Sequence, residues 1–501
     1  MALGFAVAHG QILHVIDPQK TRQYFEGWGA SLCWWAHGAG RWNDAALNVL
    51  VGDLTDPDTG LGYSIFRYNI GGGDQPGHNH FRTYGDIPGY KSSSTSAYDW
   101  NADPYQRKVA QKLAARSPQA IWEAFSNSPP WWMTKSGCAA GMADGSDNLK
   151  PENFPAFADY LGEVVQHFHD NWGITFRTVA PFNEPSAGWW KENNNQEGCG
   201  FLNDQPRLVK LLGQNLVARG LPATKVSAAD ENSITDAVTR MRGYDDSSLA
   251  ALTQMNVHSY NGKTSRTAYA ALAKEKGKRI WQSESGPLVW SGGNQLDVSL
   301  WMADVIIQDI RDMQVNAWLD WQPLDGGVWG SFTTDFTRER ALPNKRFFMH
   351  AQFSRFIRPG SRILSVSESN ILVASVPETG NTVIVVLNPE STATTHRFDL
   401  SAFGSLPASS EAYRTSASED ILKLSALPLE GTTLQLQAAP RSITTLVIPG
   451  TTTPLFSNPA PRHPRNSGLP RWNSIQPFDV LGRLESAPAR PHLIPIGLYP
   501  R

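Results

Sequence analysis

Two glutamates in this 501-residue chain stand where apolar runs end, and that placement is the clearest chemical signal in the sequence. Glu184 lies in FRTVAPFNEP, where Asn183-Glu184-Pro185 closes a partly β-branched run and proline forbids further ladder pairing. Glu284 closes a second run in RIWQSESGP. A single carboxylate at a strand end is usually satisfied by an ion pair. Two of them, with Trp189 and Trp190 soon after the first, supply what hydrolysis of a sugar acetal requires: one carboxyl as nucleophile and one as proton donor. Asp230 and Glu231 form a rival pair at another strand end, without the aromatic and proline frame.

Other run ends offer supporting groups. Asn183 can donate to a sugar hydroxyl beside the reacting carbon. Tyr260, just after MNVHS, can donate to the nucleophile, and His258 can hold a hydroxyl or a carboxylate. Arg67 in FRYNIGGG can reach the nucleophile; for Arg67 and His258 a buried ion pair explains the residue equally well. Trp131 and Trp132 after Ser128-Pro129-Pro130, Trp189, and Trp321 in WLDWQP can serve as flat platforms for sugar rings. The chain has 18 Trp, 17 of them between Trp28 and Trp329, and most must be core.

For these residues to meet, their run ends must open onto one face. From Gly27 onward short apolar strands alternate with helix-length amphipathic stretches, and eight pairs can be counted. The strands are predicted at 27–32, 64–69, 120–125, 178–183, 225–229, 255–259, 279–283 and 317–321, with helices such as 104–116, 154–171, 204–219 and 296–313 between them. Eight β/α repeats predict an α/β fold, a (β/α)8 TIM barrel, whose strand C-termini converge. Gly71-Gly72-Gly73 lacks the spacing of a phosphate loop and reads as a tight loop that lets a ligand approach the backbone.

Residues 362–449 contain no Trp and alternate as short strands punctuated by turns, which predicts an appended antiparallel β-sandwich. The strands before Gly27 have no place in the barrel and are expected to join that sheet, so the sandwich is built from both chain ends. The expected division is 1–26 N-terminal strands, 27–356 barrel, 357–450 sandwich, and 451–501 a disordered tail with ten Pro, six Arg and no Lys.

Charged residues make up 18% and the net charge is -2, so there is no basic field for nucleic acid or a membrane surface, and a neutral substrate fits. No apolar run of eighteen residues exists to span a membrane. The first ten residues lack the basic region of a signal peptide and read as a mature start. Cys33, Cys138 and Cys199 are too few for a disulfide scaffold, and a bridge between Cys138 and Cys199 stays open. No CxxC or His-rich cluster suggests a metal, and no cofactor is expected.

FEGWGASLCWW, RYNIGGG, SNSPPWWM, DNWGITF, APFNEP followed by WW and QEGC, ADEN and WQSE together resemble glycoside hydrolase family 30, and within it the endo-β-1,6-galactanase branch. The resemblance covers roughly residues 25–449. It implies a retaining enzyme with a (β/α)8 barrel and side sandwich, Glu184 as acid/base and Glu284 as nucleophile. It also implies β-1,6-linked galactan side chains of arabinogalactan as the expected substrate, and a secreted, monomeric protein acting on polysaccharide or oligosaccharide is expected. Xylanase, β-fucosidase or β-glucosidase activity, and a non-catalytic carbohydrate-binding protein, are the alternatives. Gly200 and Ser285-Gly286-Pro287 depart from the pattern close to the sugar.

Overall fold

A computed structural model of the protein describes residues 12–287, 294–325 and 329–451. The predicted disordered tail lies, apart from Thr451, outside the described residues.

Eight parallel strands close into a barrel: β1 Gly27–Ser31, β2 Ile65–Asn69, β3 Ile121–Phe125, β4 Phe176–Ala180, β5 Lys225–Ser233, β6 Leu252–Asn261, β7 Arg279–Ser285 and β8 Ala317–Asp320. The surrounding helices are α1 Asp44–Thr55, α2 Pro104–Arg116, α3 Phe154–Trp172, α4 Gln205–Ala218, α5 Ile234–Arg242, α6 Arg266–Glu275, α7 Gln295–Arg311 and α8 Lys345–Ser354. In α3 the apolar positions Phe157, Leu161, Val164, Val165 and Phe168 recur every three or four residues and are all buried. Each contributes up to about 1.5–3 kcal/mol by leaving water. Pro155 sits in the first turn, where a missing N–H leaves no helix bond unmade.

The barrel interior is unusually polar. Glu123 on β3 is fully buried. It accepts from Arg67 Nε (2.8 Å), Thr178 Oγ1 (2.6 Å), Ser227 Oγ, Gln254 Nε2 and Asn256 Nδ2 (each 2.8 Å). Five donors from β2, β4, β5 and β6 thus converge on one carboxylate, which satisfies a charge that would otherwise be too costly to bury.

Past the barrel an 11-stranded sheet system folds into a sandwich. Val373, Ile384 and Leu446 on one part of it meet Phe398, Leu434 and Leu436 on the other in a single apolar core. Thr21–Phe25 pairs antiparallel with Ser361–Leu364. Ile12–Val15 pairs with Thr394–Asp399 in parallel, an exception to the otherwise antiparallel pairing. Ser409–Thr415, which the sequence reading passes over, is a further strand, paired with Ser442–Ile448. Its sequence SSEAYRT is mostly polar, so its period-2 signal is thin. Gln352 on α8 links the two domains, donating to Thr415 Oγ1 (2.9 Å) while its carbonyl accepts from Thr445 Oγ1 (2.8 Å).

Two local expectations need correction. The fourth strand, predicted to run to Asn183, stops at Ala180, and Glu184 lies beyond it in a loop with φ 47°. At Gly71 and Gly72 the approaching group is protein rather than ligand: a Cβ would stand 2.4 Å from the Ile87 carbonyl oxygen and 2.6 Å from that of Pro129. The loop needs glycine there to pack against its neighbours.

Candidate active site

Glu184 owes its position to three anchors at the mouth of the barrel. Its N–H donates to the Asp230 carbonyl (2.8 Å), its own carbonyl accepts from Trp190 Nε1 (2.9 Å), and its Oε1 accepts from Asn232 Nδ2 (2.7 Å). Asn232 is itself oriented by Asn261 Nδ2 (2.7 Å). The left-handed backbone at Glu184 and at Asp230 (φ 59°) is a strained conformation for residues with a side chain, which these contacts hold in place.

Glu284 is part of β7 and projects into the same space. Tyr260 donates its hydroxyl to Glu284 Oε1 (2.9 Å). His258 Nδ1 lies 3.0 Å from Glu184 Oε1 and 3.6 Å from Glu284 Oε1, so one imidazole touches both carboxylates. Donor atoms of Glu184, His258 and Glu284 all fall within 4.8 Å of one another. Each carboxylate commits Oε1 to the protein, while both Oε2 atoms, and Asn183 Oδ1, are buried without a protein hydrogen bond. Such atoms call for a ligand or water.

Behind the pair stands Asp230. It accepts from Arg67 Nη2 and Ser283 Oγ (2.6 Å each), and its Oδ1 is 3.4 Å from His258 Nε2. Burial works against its charge, but Arg67 and then His258 outweigh burial and hold the carboxyl well below the usual range. Burial likewise opposes a charge on His258, yet Glu284 and Asp230 carry it up to about 10. The imidazole is therefore a cation at neutral pH. It donates to the carboxylates, and a cation in that position disfavours a metal between them. Burial, and among the charges Glu184, push the Glu284 carboxyl up to about 8 against the pull of His258 and Arg67.

The structure brings Glu184, Glu284, Tyr260 and His258 together, while Asn183, next to Glu184 in the chain, is buried beside Phe182, Cys199 and Phe201. Arg67 does not hydrogen-bond to Glu284; it serves Glu123, Asp230 and the Ser283 carbonyl (3.1 Å). Of the rivals, Asp230 is committed to Arg67, and Glu231 is tied to Ser186 N and Oγ (3.1 and 2.8 Å), its carboxyl pushed by burial up to about 7. Trp321 N donates to Ser285 O (2.9 Å), and its ring meets Trp34 edge-on at 5.0 Å. Trp132 packs against the main core and donates to the Lys91 carbonyl (3.0 Å) while staying partly exposed. Trp131 and Trp189 remain partly exposed. The three cysteines are free, which closes the question of a Cys138–Cys199 bridge.

Sequence reasoning missed Glu123, Asn232, Trp34 and Trp329. Trp329 lies over Gly286, where an added Cβ would come within 2.6 Å of its ring, and 6.3 Å from Tyr260. Asn232 had a signal, the ADEN segment at a strand end.

A (β/α)8 barrel with two buried carboxylates facing each other across its mouth is the arrangement of a glycoside hydrolase. The chain belongs to O-glycosyl hydrolase family 30, whose family model matches residues 11–327. It is 34% identical over 408 residues to an endo-β-1,6-galactanase of Hypocrea rufa, covering 77% of this chain and 82% of that protein. It is 25% identical over 405 residues to an exo-β-1,6-galactobiohydrolase of Bifidobacterium longum, covering 60% of this chain and 26% of that longer protein. In fold it is similar to the catalytic domain of the family 30 xylanase C from Talaromyces cellulolyticus, with TM-score 0.68, 20% identity, and 87% and 99% of the two chains covered.

Proposed function

We propose that the protein is a retaining endo-β-1,6-galactanase that cleaves β-1,6-linked galactan side chains of arabinogalactan outside the cell. The observation that carries the mechanism is the carboxylate pair, with oxygens within 4.8 Å and both Oε2 atoms uncommitted. Retaining enzymes hold their two carboxyl groups about 5–5.5 Å apart, an inverting enzyme needs about 6.5–9.5 Å to seat a water, and oxygens this close favour direct attack by a carboxylate. In the first step Glu284 bonds to the anomeric carbon while the proton of Glu184 passes to the glycosidic oxygen as that C–O bond breaks. In the second, Glu184 takes a proton from water, the water oxygen bonds to the anomeric carbon, and Glu284 leaves as the carboxylate. Tyr260 and the His258 cation stabilise that returning charge. A second reading exchanges the two roles, and the raised position of Glu284 favours it. Against it stand the Tyr260 donor, which stabilises a carboxylate anion, and the family resemblance.

The β-1,6-galactan assignment is supported by the two relatives whose names carry that linkage. Hydrolysis of a panel of β-1,6-galactan, xylan and β-1,6-glucan tests it. The galactan is expected to be preferred at least about 100-fold in kcat/KM, since a site built around sugar hydroxyls rejects analogues that leave buried polar groups unpaired. Early release of mixed-length oligosaccharides marks endo action; equal or better turnover of xylan would overturn the assignment.

Glu284 must be a carboxylate to attack, and with its carboxyl pushed up to about 8 in the free protein kcat/KM should rise with pH along an acidic limb near pH 8. Tyr260→Phe removes a donor to the anion, so that acidic limb should move to higher pH, with kcat lower by about 10–100-fold. An unmoved limb would show that Tyr260 does not act on Glu284.

A further inference from the structure

The loop after β2 and the loop after β3 meet at a second cluster of chemically active side chains. Asp74, His78 and His80 come from the first and Cys138 from the second, and one donor atom of each lies within 4.8 Å of all the others. His78 Nδ1 is 3.2 Å from Asp74 Oδ1, and His80 Nε2 is 3.5 Å from both Asp74 Oδ2 and Cys138 Sγ. A tetrahedral ion with arms of about 2.0–2.3 Å has donor-to-donor edges of roughly 3.3–3.7 Å. The observed separations are close to those edges.

An independent observation concerns orientation. The other nitrogen of His80, Nδ1, is hydrogen-bonded to the carbonyl of Asn194. A carbonyl can only accept, so Nδ1 carries a proton, and Nε2 is the nitrogen that faces Cys138 and Asp74. Histidines that ligate metals are oriented in this way by the bond their second nitrogen makes. Asn194 belongs to the segment that follows Glu184, so a third loop supports the cluster. The donor set is mixed. One thiolate, one carboxylate and two neutral imidazoles carry a charge of -2, matching a divalent ion, and sulfur with imidazole selects zinc-like over oxygen-seeking ions.

The competing explanation is a half-buried surface cluster: the Asp74, His78 and His80 side chains are 12%, 35% and 24% exposed, and the Cys138 thiol donates to the Glu192 carbonyl (3.4 Å). Ordinary Asp–His pairing accounts for two of the separations. It does not account for a buried cysteine brought 3.5 Å from the same imidazole nitrogen that faces the Asp74 carboxylate.

We propose that Asp74, His78, His80 and Cys138 form a binding site for a zinc-like divalent cation that clips the loops after β2 and β3 together beside the barrel mouth. On binding, the Cys138 S–H bond breaks, its proton goes to solvent, and Sγ bonds the ion with no change of oxidation state. The site is structural: none of its four donors belongs to the carboxylate pair. Sequence reading expected no metal, because DQPGHNH holds three donors at most and the fourth comes 58 residues after His80.

The test is titration of chelator-treated full-length protein with Co2+, followed by competition with Zn2+. The expected result is one equivalent of tetrahedral Co2+ with a thiolate charge-transfer band in the near ultraviolet, displaced by Zn2+, and a melting temperature raised by either metal. Cys138→Ser should lose the band, and His80→Ala should weaken binding at least about 100-fold. Asp74→Asn, in a part-exposed loop, gives a third variant should either of these fold poorly. Binding well below one equivalent in the wild-type protein, or an unchanged band and affinity in the variants, overturns the proposal.

Discussion

Glu284→Ala is expected to lose at least about ten-thousand-fold in kcat on every glycoside, whatever its leaving group, because no attacking carboxylate remains. Glu184→Ala should divide substrates by leaving group. An aryl glycoside with a good leaving group needs no proton in the first step, so the covalent intermediate should form and then stall for want of a base. Azide needs no base and should restore turnover of Glu184→Ala, giving a β-glycosyl azide of retained configuration. In Glu284→Ala azide can only stand in for the missing nucleophile, so any rescued product should be inverted. Retained product from Glu284→Ala with inverted product from Glu184→Ala would mean that the roles are exchanged. Near-normal turnover in either variant would falsify the pair and return attention to Asp230 and Glu231, although the ion pair of the first and the Ser186 contacts of the second speak against them.

The second large effect should fall on stability. Arg67 is fully buried and bonds two carboxylates, Glu123 and Asp230. Replacing it with methionine keeps much of the volume but leaves two charges in the barrel without their cation, at a cost of about 3–5 kcal/mol. The pH dependence follows from Asp230, whose carboxyl the arginine holds far below its unfolded value. A depressed carboxyl contributes stability above the unfolded pKa of about 4, and that contribution is lost as pH falls through the lower folded value. Without Arg67, burial raises the Asp230 carboxyl above its unfolded value, so the deficit of the variant should be largest well above that raised value, shrink as pH falls toward about 4 and the stranded carboxyl protonates, and shrink further below about 4 as the wild-type contribution is lost. Denaturant unfolding of both proteins at pH 7 and pH 3.5 measures this. A variant of near-wild-type stability at pH 7 would show that the barrel interior hydrates these carboxylates. Arg67→Met with Glu123→Gln should recover part of the loss, because the second change removes one of the two stranded charges.

Much of the architecture was legible because it is written in local periodicity. Helix α2 occupies the predicted residues, and all eight barrel strands fall within a few residues of their expected places. Those signals need only the alternation of buried and exposed positions and a breaker at each end. Glu184 and Glu284 were legible for a related reason: polar residues that interrupt apolar runs at strand ends must lie at one face once the barrel closes. Tyr260 and His258 followed by the same logic, from the end of β6.

Tertiary structure alone decided how those groups are wired. Nothing local shows that Arg67 serves Glu123 and Asp230 rather than Glu284, since those partners lie 56 and 163 residues away. The same holds for the five donors on Glu123, for Asn232 beside Glu184, and for Cys138 beside His80. Periodicity reports which face of an element is buried, and it carries no information on which side chain from another element stands opposite. That is set by the register and stagger of eight strands around a closed barrel, where a shift of one residue exchanges every inward group for its outward neighbour.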